Sequence, residues 1–87
     1  MAERLLLVET TSSDGVPARI AHLLAQRRVR VGSLHMARQP GSGAWSIRLV
    51  VDVAEENQAE LLVKRLNRVV DVICVVDTAA TAARSGA

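Results

Sequence analysis

From Trp45 to Val53 apolar and polar side chains alternate: Trp45, Ile47, Leu49, Val51 and Val53 fall on one side, Ser46, Arg48, Val50 and Asp52 on the other. A period of two predicts a strand with one fully apolar face. Two other stretches have helical spacing. Val16, Ile20, Leu23 and Leu24 lie at i, i+4, i+7 and i+8, predicting an amphipathic helix that ends near Arg28. Ala59, Leu62, Val63 and Leu66 do the same for a helix over 55–68. The apolar runs at 4–11 (RLLLVETT), 29–38 (VRVGSLHMAR) and 70–77 (VDVICVVD) are short and predict strands. In the second of these, Val29 and Val31 are out of phase with Leu34 and Met36, so a bulge is expected near Gly32–Ser33. Pro40–Gly43 (PGSG) predicts a turn.

The element order βαββαβ places a third strand between the two strands of each βαβ unit. The expected fold is α+β and ferredoxin-like: a four-stranded antiparallel sheet of order 4-1-3-2 with both helices on one face. The domain spans residues 1–78, and the aperiodic stretch 79–87 reads as a flexible tail. Asp14 or Ser13 is expected to cap the first helix, with Pro17 in its first turn and Gln26, Arg27 and Arg28 at its end. Two layers leave one sheet face bare, and some apolar side chains must lie on it. In the last strand Ile73 and Val75 point one way, and Val72, Cys74 and Val76 the other. In the first strand either Leu5 and Leu7 or Leu6 and Val8 face outward. A contiguous apolar patch of this kind marks a partner surface; the plainer reading is a small β-rich surface that carries scattered valines.

Composition narrows the functional classes. Hydrophobic residues make up 49% of the 87, yet Trp45 is the sole aromatic, so the core is aliphatic. One small domain of this size gains from oligomerisation. A net charge of +2 with no long basic run, and no set of sheet aromatics for stacking bases, argues against nucleic acid. Cys74 is the single cysteine and has no sequence-local histidine or second thiol, so it reads as a small hydrophobe. His22 and His35 lack neighbouring ligands for zinc. Gly41-x-Gly43 sits in a turn with no helix after it, unlike a phosphate loop. LLLV at 5–8 is too short for a signal peptide or a membrane span, so a soluble cytoplasmic domain is expected. The loop Ser12–Gly15 remains. A helix start beside a strand edge can hold a carboxylate on its free N–H groups; the plainer reading is an ordinary turn that uses Gly15 for backbone freedom.

Over residues 4–77 the chain resembles the ACT-domain regulatory (small) subunits of acetohydroxyacid synthase, also called acetolactate synthase. The resemblance is most specific in RLNRVVDVICVVD (65–77), and is supported by the helix start SDGVPARIAHL (13–23) and by Ser33-Leu34. The SLHMA run (33–37) and the length look most like the short, single-domain form. The resemblance implies a non-catalytic subunit that binds and activates the catalytic subunit in branched-chain amino-acid biosynthesis, in many cases conveying feedback by valine. Thiamine diphosphate, magnesium and FAD would sit in that catalytic partner. It also implies a homodimer joined through edge strand two. An effector, valine or another branched-chain amino acid, would bind between Ser12, Ser13, Asp14, Gly15 and Val16 of one chain and Arg30, Val31 and Leu34 of the other. Three positions depart from the valine-responsive pattern: Ser12 and Arg30 stand where asparagine is usual, and Arg28 where glycine is usual. Insensitivity to valine and a different effector both fit these departures. The rival readings are a stand-alone ACT amino-acid sensor for another enzyme, and an enzyme on the same scaffold such as an acylphosphatase, for which no catalytic constellation is evident.

Overall fold

The computed structural model describes residues 2–79, so most of the expected tail, from residue 80 on, lies outside the described residues. In chain order it contains β1 (Ala2–Thr10), α1 (Val16–Gln26), β2 (Arg30–Arg38), β3 (Trp45–Val53), α2 (Glu56–Asn67) and β4 (Val72–Asp77). The strands form one antiparallel sheet of order β2-β3-β1-β4, which is the expected 4-1-3-2 read from the other edge. The two inner strands carry the core. Leu6 and Val8 of β1 and Ile47, Leu49, Val51 and Val53 of β3 are buried against Val16, Ile20 and Leu24 of α1 and Ala59, Leu62 and Leu66 of α2. Leu5 and Leu7 are therefore the pair on the bare face, opposite Val50 and Arg48.

The expected bulge in β2 is present. Val31 pairs with Val51 and Ser33 with Val50, leaving Gly32 as the extra residue. That insertion restores phase, so Val31, Leu34 and Met36 all lie beside core-facing residues of β3. A second bulge lies in β4. Glu9 pairs with Cys74 and Thr10 with Val72, which turns Ile73 out of register. Val72 and Val75 consequently pack on the core while Ile73, Cys74 and Val76 are exposed. The expected grouping of Ile73 with Val75, and of Val72 with Cys74, is corrected by that one inserted residue. Cys74 is also not packed as a small hydrophobe but lies exposed.

The helix ends differ from expectation in two ways. Neither Asp14 nor Ser13 caps α1 through its side chain; Gly15 occupies the cap position, and Pro17 lies in the first turn as expected. At the other end α1 stops at Gln26, so Arg27 and Arg28 lie beyond it. Arg28 adopts φ +54°. Its N–H donates to the Ala25 carbonyl at 3.2 Å and the Val29 N–H to the Leu24 carbonyl at 3.0 Å, the two bonds of a Schellman motif. Arginine thus fills a left-handed position that glycine takes at lower cost. In α2 the Gln58 side chain accepts from the N–H groups of Ala54 and Glu55, at 2.8 and 3.3 Å.

Arg4 ties β1, β4 and α2 together. Its guanidinium, buried under the sheet end, donates to Asp77 at 2.6 and 3.3 Å and to Glu56 at 2.7 and 3.1 Å. Those hydrogen bonds, and then the nearby positive charge, hold the Glu56 carboxyl below its ordinary value of 4.5. A carboxylate whose folded pKa is depressed contributes stability above its unfolded value, and that contribution fades as pH falls below it. The urea midpoint of Glu56→Gln should therefore depend less on pH below about 5 than that of wild type. Parallel pH dependences would overturn this role. Arg4→Met strands the largely buried Asp77 and should cost about 3 kcal/mol. Arg4→Met/Asp77→Leu should recover most of that loss, measured by equilibrium urea unfolding.

Candidate functional site

Ser12 to Gly15 form a tight loop at the end of the sheet where β1 finishes and the β2–β3 turn closes. Two residues flanking that turn hold the loop by its carbonyls. Arg38 donates through Nη1 to the carbonyls of Ser12 (3.1 Å) and Gly43 (2.9 Å), and through Nη2 to the Asp14 carboxylate. Trp45 donates through Nε1 to the Ser13 carbonyl at 3.0 Å. Arg38 and Trp45 are direct cross-strand partners, and the guanidinium carbon lies 4.3 Å from the ring centroid. The cation–π contact fixes both donors at once. Gly41 (φ +87°) and Gly43 (φ +72°) supply the left-handed backbone that the turn requires.

The carbonyls of Ser12 and Ser13 are taken up by Arg38 and Trp45, while the N–H groups of the loop are only weakly engaged. The amides of Ser13 and Gly15 make long bonds of 3.4 Å to the hydroxyls of Thr11 and Ser13. Those of Ser12 and Asp14 meet no acceptor among the described residues. Such a set at a helix start suits a carboxylate. Gly15 is not needed here for backbone freedom, and what it leaves is room for the Arg19 side chain. Its φ is −78°, which any residue adopts. A Cβ at this position would lie 3.1 Å from Cζ of Arg19, whose guanidinium passes over the glycine to reach Asp71 at 2.8 Å. Asp71 is itself left-handed (φ +76°), and its carbonyl accepts from the Thr11 N–H at 2.9 Å.

The expected site residues fall in two places within one chain. Ser12, Ser13, Asp14 and Gly15 gather at the Arg38–Trp45 end. Val16 starts α1 there, but its side chain is fully buried in the core. Arg30 and Val31 lie at the far end of β2, paired with Asp52 and Val51, while Leu34 is midway, opposite Leu49. Val31 and Leu34 are 41% and 38% exposed on this edge strand. Arg38, Trp45, Arg19 and Asp71 are the positioning residues missing from the sequence reading. The first two flank PGSG, so a hairpin reading could have paired them; the Arg19–Asp71 contact has no local signal. His22 and His35 are exposed. Among the described residues no cluster of metal-ligating side chains occurs, and no helix is long and apolar enough to cross a membrane.

Removing the guanidinium should free the loop. Arg38→Ala loses a cation–π contact and two carbonyl hydrogen bonds, and about 1–2 kcal/mol of stability is expected to go with them. Because Trp45 is the sole aromatic residue, its fluorescence reports on this site alone. The variant should show altered emission, greater acrylamide quenching and faster exchange of the Val16 amide. An unchanged Trp45 signal would refute the anchoring.

Residues 12–75 match the ACT domain family. The chain is 32% identical over 75 residues to the acetolactate synthase small subunit of Bacillus subtilis (strain 168), covering 86% of this chain and 44% of that protein. Among solved structures it superposes on the acetolactate synthase small subunit of Thermotoga maritima with a TM-score of 0.79 at 21% identity, over 88% of this chain and 47% of that one. The ACT domain of a GTP pyrophosphokinase from Chlorobium tepidum gives a TM-score of 0.75 at 13% identity, over 86% of this chain and 95% of that one. The chain thus spans a little under half the length of both small subunits. The family match runs from the loop before α1 into β4, well over half of the chain, and the chain belongs to the ACT domain family.

Proposed function

We propose that this chain is a non-catalytic regulatory subunit of acetolactate synthase, acting by contact with the catalytic subunit in the cytoplasm. The similarity to the Bacillus subtilis and Thermotoga maritima small subunits supports this reading. In it, thiamine diphosphate, magnesium and FAD belong to the catalytic partner, and this chain contributes binding surfaces alone.

The observation that carries the effector site is the open edge of β2. It borders only β3, so its other side has unpaired backbone groups beside the exposed Val31 and Leu34. A second copy pairing there antiparallel about a two-fold axis near Leu34 would set its Arg30 opposite Arg38 of the first. The two half-sites, far apart within one chain, would then converge. Free N–H groups of Ser12–Gly15 would take an amino-acid carboxylate, and Val31 and Leu34 of the second copy would face an aliphatic side chain. Ser12 offers a shorter donor than asparagine, and Arg30 brings a charge to the rim. Valine feedback is accordingly expected to be weak or absent, with another amino acid or none as effector.

The test is acetolactate synthase activity of the cognate catalytic subunit, with and without this chain, across a valine titration. Activation that valine leaves untouched is the expected result. Activation reversed by valine keeps the subunit role and corrects the effector reading. No activation, and no complex on a sizing column, would transfer the domain to another enzyme as a stand-alone sensor. For any branched-chain amino acid that calorimetry finds to bind, Gly15→Trp should weaken binding at least tenfold, since the indole displaces Arg19 and covers the loop amides. Unchanged affinity would remove the site from this loop.

A further inference from the structure

On the helix side, away from the loop, an open crevice runs between the end of α1 and α2. Its larger part, with a volume of about 600 Å³, is rimmed by Arg27, Arg28, Arg30 and Arg65. A second depression of about 380 Å³ continues it past Lys64 and Arg68, and the two share Arg27, Leu61 and Arg65. Six of the eleven Lys and Arg residues of the chain thus surround one groove. None of the six forms an ion pair among the described residues, whose ion-paired arginines are Arg4, Arg19 and Arg38. Asp52 is the one carboxylate on the rim. The floor is aliphatic: Leu23, Leu62 and Val69 line it, and Leu61 is 48% exposed.

Two features say that the arrangement serves a partner. Crowding like charges repels and destabilises a compact domain, so unpaired cations gathered on one face need a compensating gain. Arg28 also occupies a left-handed C-terminal position, where glycine would relieve the backbone, and its charge meets no carboxylate among the described residues. We propose that this groove binds an acidic, leucine-bearing helical segment of another polypeptide. Arginines suit carboxylates through paired N–H donors, and an amphipathic helix lays its apolar side on an aliphatic floor between charged rims. Nucleic acid fits less well, because the groove has no aromatic side chain to stack a base.

The probe is a fluorescein-labelled helical peptide with leucines at i, i+4 and i+7 flanked by glutamates, compared with the same peptide carrying lysines instead. Anisotropy at moderate salt should show the acidic peptide binding at least tenfold more tightly. Arg28→Gly should melt no lower than wild type yet weaken the acidic peptide about threefold or more. Arg27→Glu/Arg65→Glu should abolish binding, and Leu61→Ser should weaken it while leaving circular dichroism unchanged. No binding, equal binding of both peptides, insensitivity to Leu61→Ser, or full displacement by micromolar tripolyphosphate would each overturn the proposal; the last would mark a small-polyanion site instead. The assay contains no catalytic subunit, so its outcome is separate from that of the synthase test.

Discussion

Everything in this domain follows from covering only one face of a four-stranded sheet with aliphatic side chains. The two helices press Val16, Ile20, Leu24, Ala59, Leu62 and Leu66 onto the inner strands β1 and β3, and the sole aromatic ring, Trp45, packs against that core partly buried at its margin. Apolar burial at roughly 25 cal/mol per Å² favours this packing without directional demands, so the layers alone would be free to slide. The polar anchors remove that freedom. Arg4 fixes β1 to β4 and to the start of α2. Arg19 with Asp71 joins α1 to the start of β4, and Arg38 with Trp45 joins the β2–β3 turn to the loop before α1. Each links segments distant in sequence, and together they fix where the candidate loop sits.

The same one-sided covering decides what is left outside. The outer face carries Leu5, Leu7, Val50 and Val76, bordered by charges of both signs: Glu3, Glu9, Arg48 and Asp52. The β2 edge offers backbone hydrogen bonds, and the helix side offers positive charge over leucine. These three surfaces differ in chemistry and so would select different partners. A domain that acted alone would have little use for such separation, which supports its reading as one part of a larger assembly.

How far the sequence carried the fold depended on how unambiguous each pattern was. The alternation of β3 had one solution, and the phase slip in β2 named its own bulge at Gly32. Val72 to Val76 had no such constraint, because an unbroken apolar run satisfies either face equally. Its phase is set instead by long-range contacts: Asp71 in a left-handed turn bonds Thr11, and Thr10 then pairs with Val72. The expected cap failed for a related reason. Asp14 is a competent N-cap residue, but Arg38, far away in sequence, draws its carboxylate outward. Arg4 carries no local hint of its role, since its partners lie 52 and 73 residues away.

The candidate site shows the limit in another form. Ser12 to Gly15 could be picked out from local chemistry and from the resemblance, but a single chain keeps them at the opposite end of β2 from Arg30 and Val31. Only antiparallel symmetry about the strand centre can join them, and symmetry is a property of an assembly rather than of a sequence. Such a site would couple ligand to partner by construction. A ligand seated between two copies binds the pair better than either alone, and so favours the dimer by the same free energy with which the dimer favours it. Arg38 would stand at the centre of that coupling. It holds the loop in one chain, and in the proposed pairing its strand position would face the second copy, so a displacement at the interface would reach the carbonyls of Ser12 and Gly43 through one side chain. A loop pinned by backbone contacts alone would lack that connection.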